Sequence, residues 1–202
     1  VQRRAEMSFA DDFNGDTLRP GWQWPAADEP RHTVERGNLI LSPARMTNDF
    51  LGAVLAHPTT VGDYAARTTV GEMQRGTFAG IAAYGDAANA IGLATGPGGK
   101  LVVWLRQKGQ HQVLSQTSLP KRQDIQLQLR AKEGHRFSFF ARGDESQPWN
   151  QIGEEMEGKH LPPWDRNVRV ALTVGGMEGA VAKFENFSLT PSIKGPASDS
   201  TK

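Results

Sequence analysis

The sequence contains no cysteine, and this absence removes two ways of stabilising a fold. Without thiols, neither a disulfide framework nor a thiolate zinc site can form. Any bound metal must therefore be held by oxygen or imidazole ligands. The lack of cysteine does not by itself favour one cellular compartment over another.

Long hydrophobic runs are absent as well. No segment approaches the ~18 apolar residues that a membrane-spanning helix needs, so a membrane is not expected as a partner. The first residues, Val1-Gln2-Arg3-Arg4, include neither an initiator methionine nor the hydrophobic core of a signal peptide. We therefore expect a trimmed, soluble chain, which is either a mature secreted or periplasmic protein or a domain excised from a longer one.

An excess of charge of one sign is also missing. The chain has 23 Lys and Arg against 22 Asp and Glu, which gives a formal net charge of +1. This balance provides no overall field to attract nucleic acid or an acidic membrane, so the expected partner is neutral. Motifs for nucleotide phosphates and serine nucleophiles are absent, and the five histidines show no metal-ligand spacing.

Turn-forming residues are abundant, with 22 Gly and 12 Pro spread along 202 residues. Between them, short alternating segments rich in β-branched and aromatic residues recur about every 8 to 15 residues, which is typical of a β-sandwich. We therefore predict an all-β fold. Its single sandwich domain spans residues 1–190, and residues 191–202 form a flexible tail because they have little to bury.

The clearest predicted strand covers residues 124–130, where Ile125, Leu127 and Leu129 alternate with polar residues. Gly96-Pro97-Gly98-Gly99 predicts a hairpin turn. The face of the last strand is ambiguous, because its two alternating sets both contain apolar and polar residues. The other predicted strands are 7–13, 32–34, 38–41, 50–55, 64–72, 77–84, 90–94, 100–106, 112–116, 135–141, 149–153, 168–174 and 181–189.

Five segments carry a likeness to a known family and occur in the family's order. They are Phe9-Ala10-Asp11-Asp12-Phe13-Asn14-Gly15-Asp16-Thr17-Leu18 followed by Trp22-Gln23-Trp24, Glu35-Arg36-Gly37-Asn38-Leu39-Ile40-Leu41, Gly80-Ile81-Ala82-Ala83-Tyr84-Gly85-Asp86, Phe137-Ser138-Phe139-Phe140-Ala141 with Trp149 and Gly153, and Val181-Ala182-Lys183-Phe184-Glu185-Asn186-Phe187-Ser188-Leu189. Together they resemble the concanavalin A-like C-terminal domain of glycoside hydrolase family 43 β-xylosidases. The resemblance spans residues 9–189 and implies a jelly-roll β-sandwich of two antiparallel sheets.

The resemblance also implies a structural calcium ion, since many related sandwiches that act on polysaccharides join their first and last strands through one. The matching positions are Asp12, the carbonyl of Gly37, and Glu185. Calcium prefers oxygen ligands of this kind. Glu185 departs from the usual Asp, and the alternative is that Asp12 and Glu185 are solvated carboxylates at strand ends.

Sugar recognition normally uses an aromatic ring that stacks on a pyranose, with polar side chains that bind its hydroxyls. Trp104 lies in the apolar run 101–105, and together with Arg106 it suits the concave sheet that carries ligands in this fold. We predict Tyr84 and Arg67 as polar partners on the same sheet. The alternative for each polar residue is an ordinary solvated strand position.

The remaining tryptophans are harder to assign. Trp22 and Trp24 match aromatic positions of the family pattern, which favours packing roles. Trp149 matches the family's core-packing tryptophan and is expected to anchor a loop. Trp164, beside a proline, is either an exposed sugar-binding residue or a buried anchor, and we keep it among the candidate sugar-binding residues.

A catalytic pair of carboxylates is not evident. Glycoside hydrolysis by the usual route needs two carboxyl groups about 5 to 9.5 Å apart. The segment Glu154-Glu155-Met156-Glu157 does not match the Glu-x-Asp-x-Glu motif of family 16 glucanases, because Glu157 occupies its middle position and Lys159 its third. An acidic surface loop is the favoured interpretation, although carboxylates distant in sequence can still converge.

Three functions fit these observations. The first is an accessory module that binds an oligo- or polysaccharide of the xylan type and accompanies a catalytic β-propeller, as the resemblance implies. The second is a stand-alone glycoside hydrolase on the same fold. The third is a laminin G-like adhesion module, which requires an exposed apolar patch for a protein partner.

Overall fold

Two antiparallel β-sheets form the part of the chain that the computed structural model describes, residues 8–45, 49–120, 124–162 and 168–192. The predicted all-β sandwich is therefore confirmed. Among these residues there is no helix long and apolar enough to cross a membrane. The strands are β1 (Phe9–Asp11), β2 (Arg31–Glu35), β3 (Asn38–Ser42), β4 (Ala53–His57), β5 (Tyr64–Met73), β6 (Thr77–Asp86), β7 (Asn89–Gly96), β8 (Lys100–Gln107), β9 (Gln110–Ser118), β10 (Ile125–Lys132), β11 (Arg136–Arg142), β12 (Asn150–Glu157), β13 (Arg169–Gly176) and β14 (Ala182–Pro191).

One sheet has eight strands in the order β12-β11-β10-β5-β14-β3-β2, with β1 paired to β14. The other has six strands in the order β4-β13-β6-β7-β8-β9. The predicted turn at residues 96–99 is confirmed: Pro97–Gly99 joins β7 to β8, and Gly98 has a φ of 74° that suits glycine.

Alternation along the strands sends one set of side chains between the sheets. On β10, Ile125, Leu127 and Leu129 are buried as predicted, while Arg130 is exposed. They join a core that includes aromatic side chains from β11, from β14 and from the segment after β1. These aromatic residues are Phe13, Phe137, Phe139, Phe184 and Phe187.

The opening segment is organised by Asp11, which is buried at the end of β1. Its carboxylate accepts hydrogen bonds from the backbone N–H of Phe13 at 3.1 Å, the N–H of Arg19 at 3.2 Å and the indole Nε1 of Trp22 at 2.9 Å. Trp22 in turn packs against Phe187, with ring centroids 4.8 Å apart. The packing role expected for Trp22 agrees with this geometry.

The last strand, β14, ends at Pro191, one residue into the predicted tail. Residues 193–202 of that tail lie outside the described residues.

Candidate functional site

The outer face of the six-stranded sheet, which points away from the other sheet, has a floor of small residues. Ala171 on β13 pairs with Ala56 on β4 and with Ala82 on β6. Ala82 pairs with Gly92 on β7, and Gly92 pairs with Trp104 on β8. Bulky side chains flank this floor, so clefts can form between them.

One such cleft lies between Trp24 and Tyr84. Gln23 forms a bridge with Ala56, in which its N–H donates to the Ala56 carbonyl at 2.8 Å and its carbonyl accepts from the Ala56 N–H at 2.7 Å. Because of this bridge, Trp24 lies next to β4 at the edge of the sheet. The Trp24–Tyr84 cleft has a volume of about 190 Å³, and its lining includes Gln23, Trp24, Ala56, Tyr84, Asp86 and Arg169.

Trp24 does not take the packing role that the sequence favoured, and in this it differs from its neighbour Trp22. Trp24 is 36% exposed, whereas Trp22 is 8% exposed and lies among core rings. The Trp24 ring is tilted against His32, with centroids 5.7 Å apart, and this contact restrains it while much of the indole remains accessible. An aromatic surface of this kind suits the apolar face of a sugar ring.

The polar groups of the cleft are held in place by neighbours. Arg169 lies directly across from Tyr84, and its Nε donates a hydrogen bond to Gln23 Oε1 at 3.0 Å. Asp86 Oδ1 accepts hydrogen bonds from the Ala88 N–H at 2.8 Å and from Asn89 Nδ2 at 2.9 Å. Donors and acceptors thus surround the indole at fixed positions.

The hydroxyl of Tyr84 stays protonated at neutral pH. Burial, followed by the negative charge of Asp86, raises the pKa of Tyr84 to about 12. A phenol with this pKa acts as a hydrogen-bond donor and acceptor, never as an anion, near pH 7. Tyr84 therefore offers the cleft a neutral hydroxyl.

Trp104 is fully buried, although it lies on the predicted sheet. One side of its ring rests on Gly92, where an added Cβ would be 2.4 Å from the ring. Phe50 stacks on Trp104 with centroids 5.9 Å apart, and His111 lies 6.1 Å away. Since no ring face is exposed, the structure does not support the stacking role predicted for Trp104.

Arg106 shares the outer face with Tyr84, since both pair with Ala90 on β7. Its Nη1 donates to Asp49 Oδ2 at 2.6 Å in a partly buried ion pair. Arg67, in contrast, lies on β5 of the eight-stranded sheet. The prediction that Arg67 shares a sheet with Tyr84 and Arg106 is therefore wrong, because β5 pairs with β10 and β14. Trp164 lies outside the described residues.

The three predicted calcium positions lie on neighbouring strands, because Asp12 follows β1, Gly37 precedes β3, and β14, which carries Glu185, pairs with both β1 and β3. The Asp12 carboxylate accepts hydrogen bonds from the N–H and Nδ2 of Asn14, and Asn14 Oδ1 also lies over Gly37. Glu185 also lies beside Gly71 on β5. Across the four described ranges, no three His, Asp or Glu side chains cluster as metal ligands do. Calcium binding stays a prediction from the resemblance.

Burial and a neighbouring charge also affect Glu185. Burial, followed by the negative charge of Asp124, raises the pKa of Glu185. A calcium ion would have the opposite effect on this carboxylate, because a cation favours the ionised form.

The acidic segment 154–157 lies in the edge strand β12 and not in the loop that the sequence favoured. Its carboxylates make solvent-exposed ion pairs. Glu155 lies 3.7 Å from Arg136, and Glu157 lies 3.9 Å from His135 and 3.8 Å from Lys159. These contacts are typical of a solvent-exposed strand, and exposed ion pairs of this kind contribute little to the free energy of unfolding.

Comparisons with known proteins identify close matches in fold. A sequence profile for the family described as "Beta xylosidase C-terminal Concanavalin A-like domain" matches residues 10–166. No curated protein sequence matches the chain. The xylan β-1,4-xylosidase from Bacillus halodurans C-125 superposes with a TM-score of 0.73 at 15% identity, covering 90% of this chain and 38% of that chain.

Two further structures extend the comparison. The GH43 protein BlXynB from Bacillus licheniformis has a TM-score of 0.71 at 20% identity, covering 91% of this chain and 39% of that chain. The exoplasmic/lumenal domain of VIP36, solved in a Ca²⁺/Man3GlcNAc-bound form, has a TM-score of 0.60 at 14% identity, covering 96% and 92% of the two chains. The present chain thus covers less than half of the Bacillus halodurans xylosidase and less than half of BlXynB.

Proposed function

Because the chain belongs to the family of β-xylosidase C-terminal concanavalin A-like domains, we propose that it binds saccharide as an accessory domain of a glycoside hydrolase. The proposed binding site is the Trp24–Tyr84 cleft. The observation that carries the proposal is the exposed Trp24 indole, 36% accessible, beside the fixed polar groups of Tyr84, Asp86 and Arg169.

Each group in the cleft has a role in this proposal. The Trp24 ring stacks on the apolar face of one sugar ring, and burial of that face supplies most of the affinity. Tyr84 and Arg169 donate hydrogen bonds to sugar oxygens, and the Asp86 carboxylate accepts from sugar hydroxyls. These groups fix the orientation of the ring.

The size of the cleft sets the length of chain that it holds. Its volume of about 190 Å³ is smaller than the about 300 to 1,000 Å³ of sites that enclose whole drug-sized ligands. We therefore propose that it holds one or two sugar units of a longer chain, whose remaining units lie in solvent. A neutral xylan-like oligosaccharide fits the xylosidase relatives.

A catalytic glycoside hydrolase domain is the proposed protein partner. The chain covers 38% of the xylosidase chain from Bacillus halodurans, which leaves most of that enzyme outside the matching part. A β-propeller is the catalytic domain that the family resemblance implies. In this arrangement the present domain holds substrate, and the partner supplies the catalytic carboxylates.

Titration with neutral xylooligosaccharides, followed by calorimetry and by the indole N–H signals in NMR spectra, tests the proposal. We expect the Trp24 signal to shift and the Trp24→Ala variant to bind at least about tenfold more weakly, as loss of a stacked ring predicts. Met177→Ala is the matched control, because Met177 is another exposed apolar side chain, 69% accessible. Equal affinity of Trp24→Ala and wild type contradicts the proposal.

A further inference from the structure

A second groove lies on the outer face of the eight-stranded sheet, on the opposite side of the molecule from the Trp24–Tyr84 cleft. Its volume is about 320 Å³. We call it the Arg67–Trp149 groove, and the lining residues that matter are Asp12, Arg67, Arg142, Glu145, Trp149 and Asn186. Two cations, one indole and two carboxylates therefore face the same space.

Arg67 is an exposed cation in the middle of the sheet. On β5 it pairs with Gln128 on one side and Ser188 on the other. Its guanidinium carbon lies 5.7 Å from the centre of the Trp149 ring. Among the described residues, no hydrogen bond or ion pair engages this guanidinium, so its donors are available to a ligand.

Arg142 lies against the same indole, with its guanidinium carbon 4.4 Å from the ring centre. Its Nε donates to Gln126 Oε1 at 2.7 Å, and its Nη1 contacts the carbonyl oxygens of Gln147 at 3.4 Å and Glu145 at 3.5 Å. These contacts fix the orientation of the guanidinium. Within the described part of the chain, its Nη2 group makes no hydrogen bond.

Two carboxylates complete the groove without neutralising the arginines. No ion pair within 4 Å joins Asp12 or Glu145 to Arg67 or Arg142 in the described residues. The Asp12 carboxylate lines the groove and is oriented by hydrogen bonds from the Asn14 N–H at 3.2 Å and from Asn14 Nδ2 at 2.8 Å. Ionised carboxylates accept hydrogen bonds from hydroxyl groups.

A ligand that pairs with both the arginines and the carboxylates of the groove must carry a carboxylate and hydroxyl groups. A neutral sugar leaves both guanidinium groups without an anionic partner. A simple inorganic anion satisfies the arginines but has no hydroxyl to donate to Asp12 and Glu145, and it is repelled by their charge. A sugar acid meets both demands, because guanidinium groups bind carboxylates strongly and directionally.

We propose that the Arg67–Trp149 groove binds a uronic acid unit of a polysaccharide. The sugar carboxylate accepts hydrogen bonds from Arg67 and from Nη2 of Arg142, while the sugar hydroxyls face Asp12, Glu145 and Asn186. Trp149 supports both arginines from below through cation–π contact. This site is independent of the Trp24–Tyr84 cleft.

The test uses methyl glucuronoside and methyl glucoside, which differ only in a carboxylate against a hydroxymethyl group. NMR titration separates the two sites, because Trp149 and Trp24 give distinct indole N–H signals. We expect methyl glucuronoside to shift the Trp149 signal and to bind at least about tenfold more tightly than methyl glucoside at low salt.

Substitution of Arg67 by glutamine tests whether its guanidinium binds the sugar carboxylate. Arg67→Gln should weaken methyl glucuronoside binding by about tenfold or more. Its melting temperature should match that of wild type, since Arg67 is exposed. Arg75→Gln, at another exposed arginine after β5, is the matched control and should bind as wild type does.

Three outcomes overturn the inference. They are equal affinity for the two methyl glycosides, unchanged binding by Arg67→Gln, and competition by sulfate as effective as that of methyl glucuronoside. The Trp24→Ala variant distinguishes the two sites, because it should leave methyl glucuronoside binding unchanged. If the Trp24–Tyr84 cleft binds no neutral sugar, methyl glucuronoside should still shift the Trp149 indole signal.

Discussion

Asp49 Oδ2 accepts a hydrogen bond from Arg106 Nη1 at 2.6 Å, and this ion pair fixes the segment that covers Trp104. Asp49 also accepts from the backbone N–H of Leu51 at 2.9 Å through its other oxygen. Phe50 is thereby held with its ring stacked on Trp104. The burial of Trp104 thus depends on residues far from it in sequence.

Breaking this ion pair should uncover Trp104. We expect Asp49→Ala to lower the free energy of unfolding by about 1 to 3 kcal/mol, because it leaves the partly buried Arg106 without its partner. Acrylamide should then quench tryptophan fluorescence more strongly. Asp28→Ala is the control, since the ion pair of Asp28 with Arg45 is solvent-exposed and its loss should change stability by less than about 0.5 kcal/mol. Identical quenching by Asp49→Ala and wild type contradicts the role assigned to Asp49.

The Trp104 ring can pack against the sheet because residue 92 is glycine. An added methyl group at position 92 would lie 2.4 Å from the ring, so Gly92→Ala must displace the indole or the strand. We expect a loss of about 1 to 3 kcal/mol in urea unfolding, as overpacking predicts. Gly15→Ala serves for comparison, because its nearest contact is an ordinary 3.6 Å. Equal free energies of unfolding for Gly92→Ala and Gly15→Ala would contradict the packing of Trp104 on Gly92.

Asp11 should be far more important for stability than its exposed neighbours. Asp11→Ala removes the acceptor for Phe13, Arg19 and Trp22 and leaves the buried Nε1 of Trp22 unsatisfied. We expect a loss of at least about 2 kcal/mol by chemical denaturation. Asp16→Ala, at an exposed position in the same segment, should change stability by no more than about 0.5 kcal/mol.

Stability should fall in alkaline solution because of the buried tyrosines. Burial raises the pKa of Tyr84 to about 12 and also raises that of Tyr64, whereas both titrate near about 10 when unfolded. Their contribution is complete below about pH 10 and is lost as the pH rises towards 12, at up to about 1.4 kcal/mol per pH unit for each tyrosine. Urea unfolding from pH 9 to 11 measures this slope.

The Tyr84→Phe variant isolates one of these two contributions. Its stability should decline less steeply above about pH 10 than that of wild type, since only Tyr64 then remains to titrate. An unchanged slope is inconsistent with the raised pKa of Tyr84.

Chelation tests the predicted calcium ion. If Asp12, Gly37 and Glu185 hold calcium, the metal binds only the folded chain, and EDTA should lower the melting temperature. Readdition of calcium should restore it, and Asp12→Asn should abolish the difference. A melting temperature that is the same with EDTA and with calcium excludes a stabilising calcium site.

The sandwich could be predicted from sequence because its signals are local. Alternation of Ile125, Leu127 and Leu129 identifies the buried face of β10 without knowledge of its neighbours. The last strand could not be assigned in this way. A register shift between Phe184 and Asn186 lets both Phe184 and Phe187 enter the core, which simple alternation forbids.

The candidate site depends on long-range pairing, which local pattern does not reveal. Arg67 belongs to the eight-stranded sheet because β5 pairs with strands that lie about 60 and 120 residues later. The sequence favoured a packing role for Trp24 and a sugar-binding role for Trp104. In the structure Phe50 covers Trp104, whereas Trp24, next to the bridge from Gln23 to Ala56, is exposed. An exposed aromatic ring beside oriented polar groups becomes visible only in three dimensions.

The small residues beneath Phe50 make this sheet a natural starting point for protein engineering. Ala82 and Ala94 carry only methyl groups and Gly92 carries no side chain, and the Trp104 ring already lies on Gly92. Replacing Phe50 with glycine would uncover an indole platform on a rigid β-sheet floor. A designer could therefore obtain a second stacking surface by removing one ring, without building a new loop.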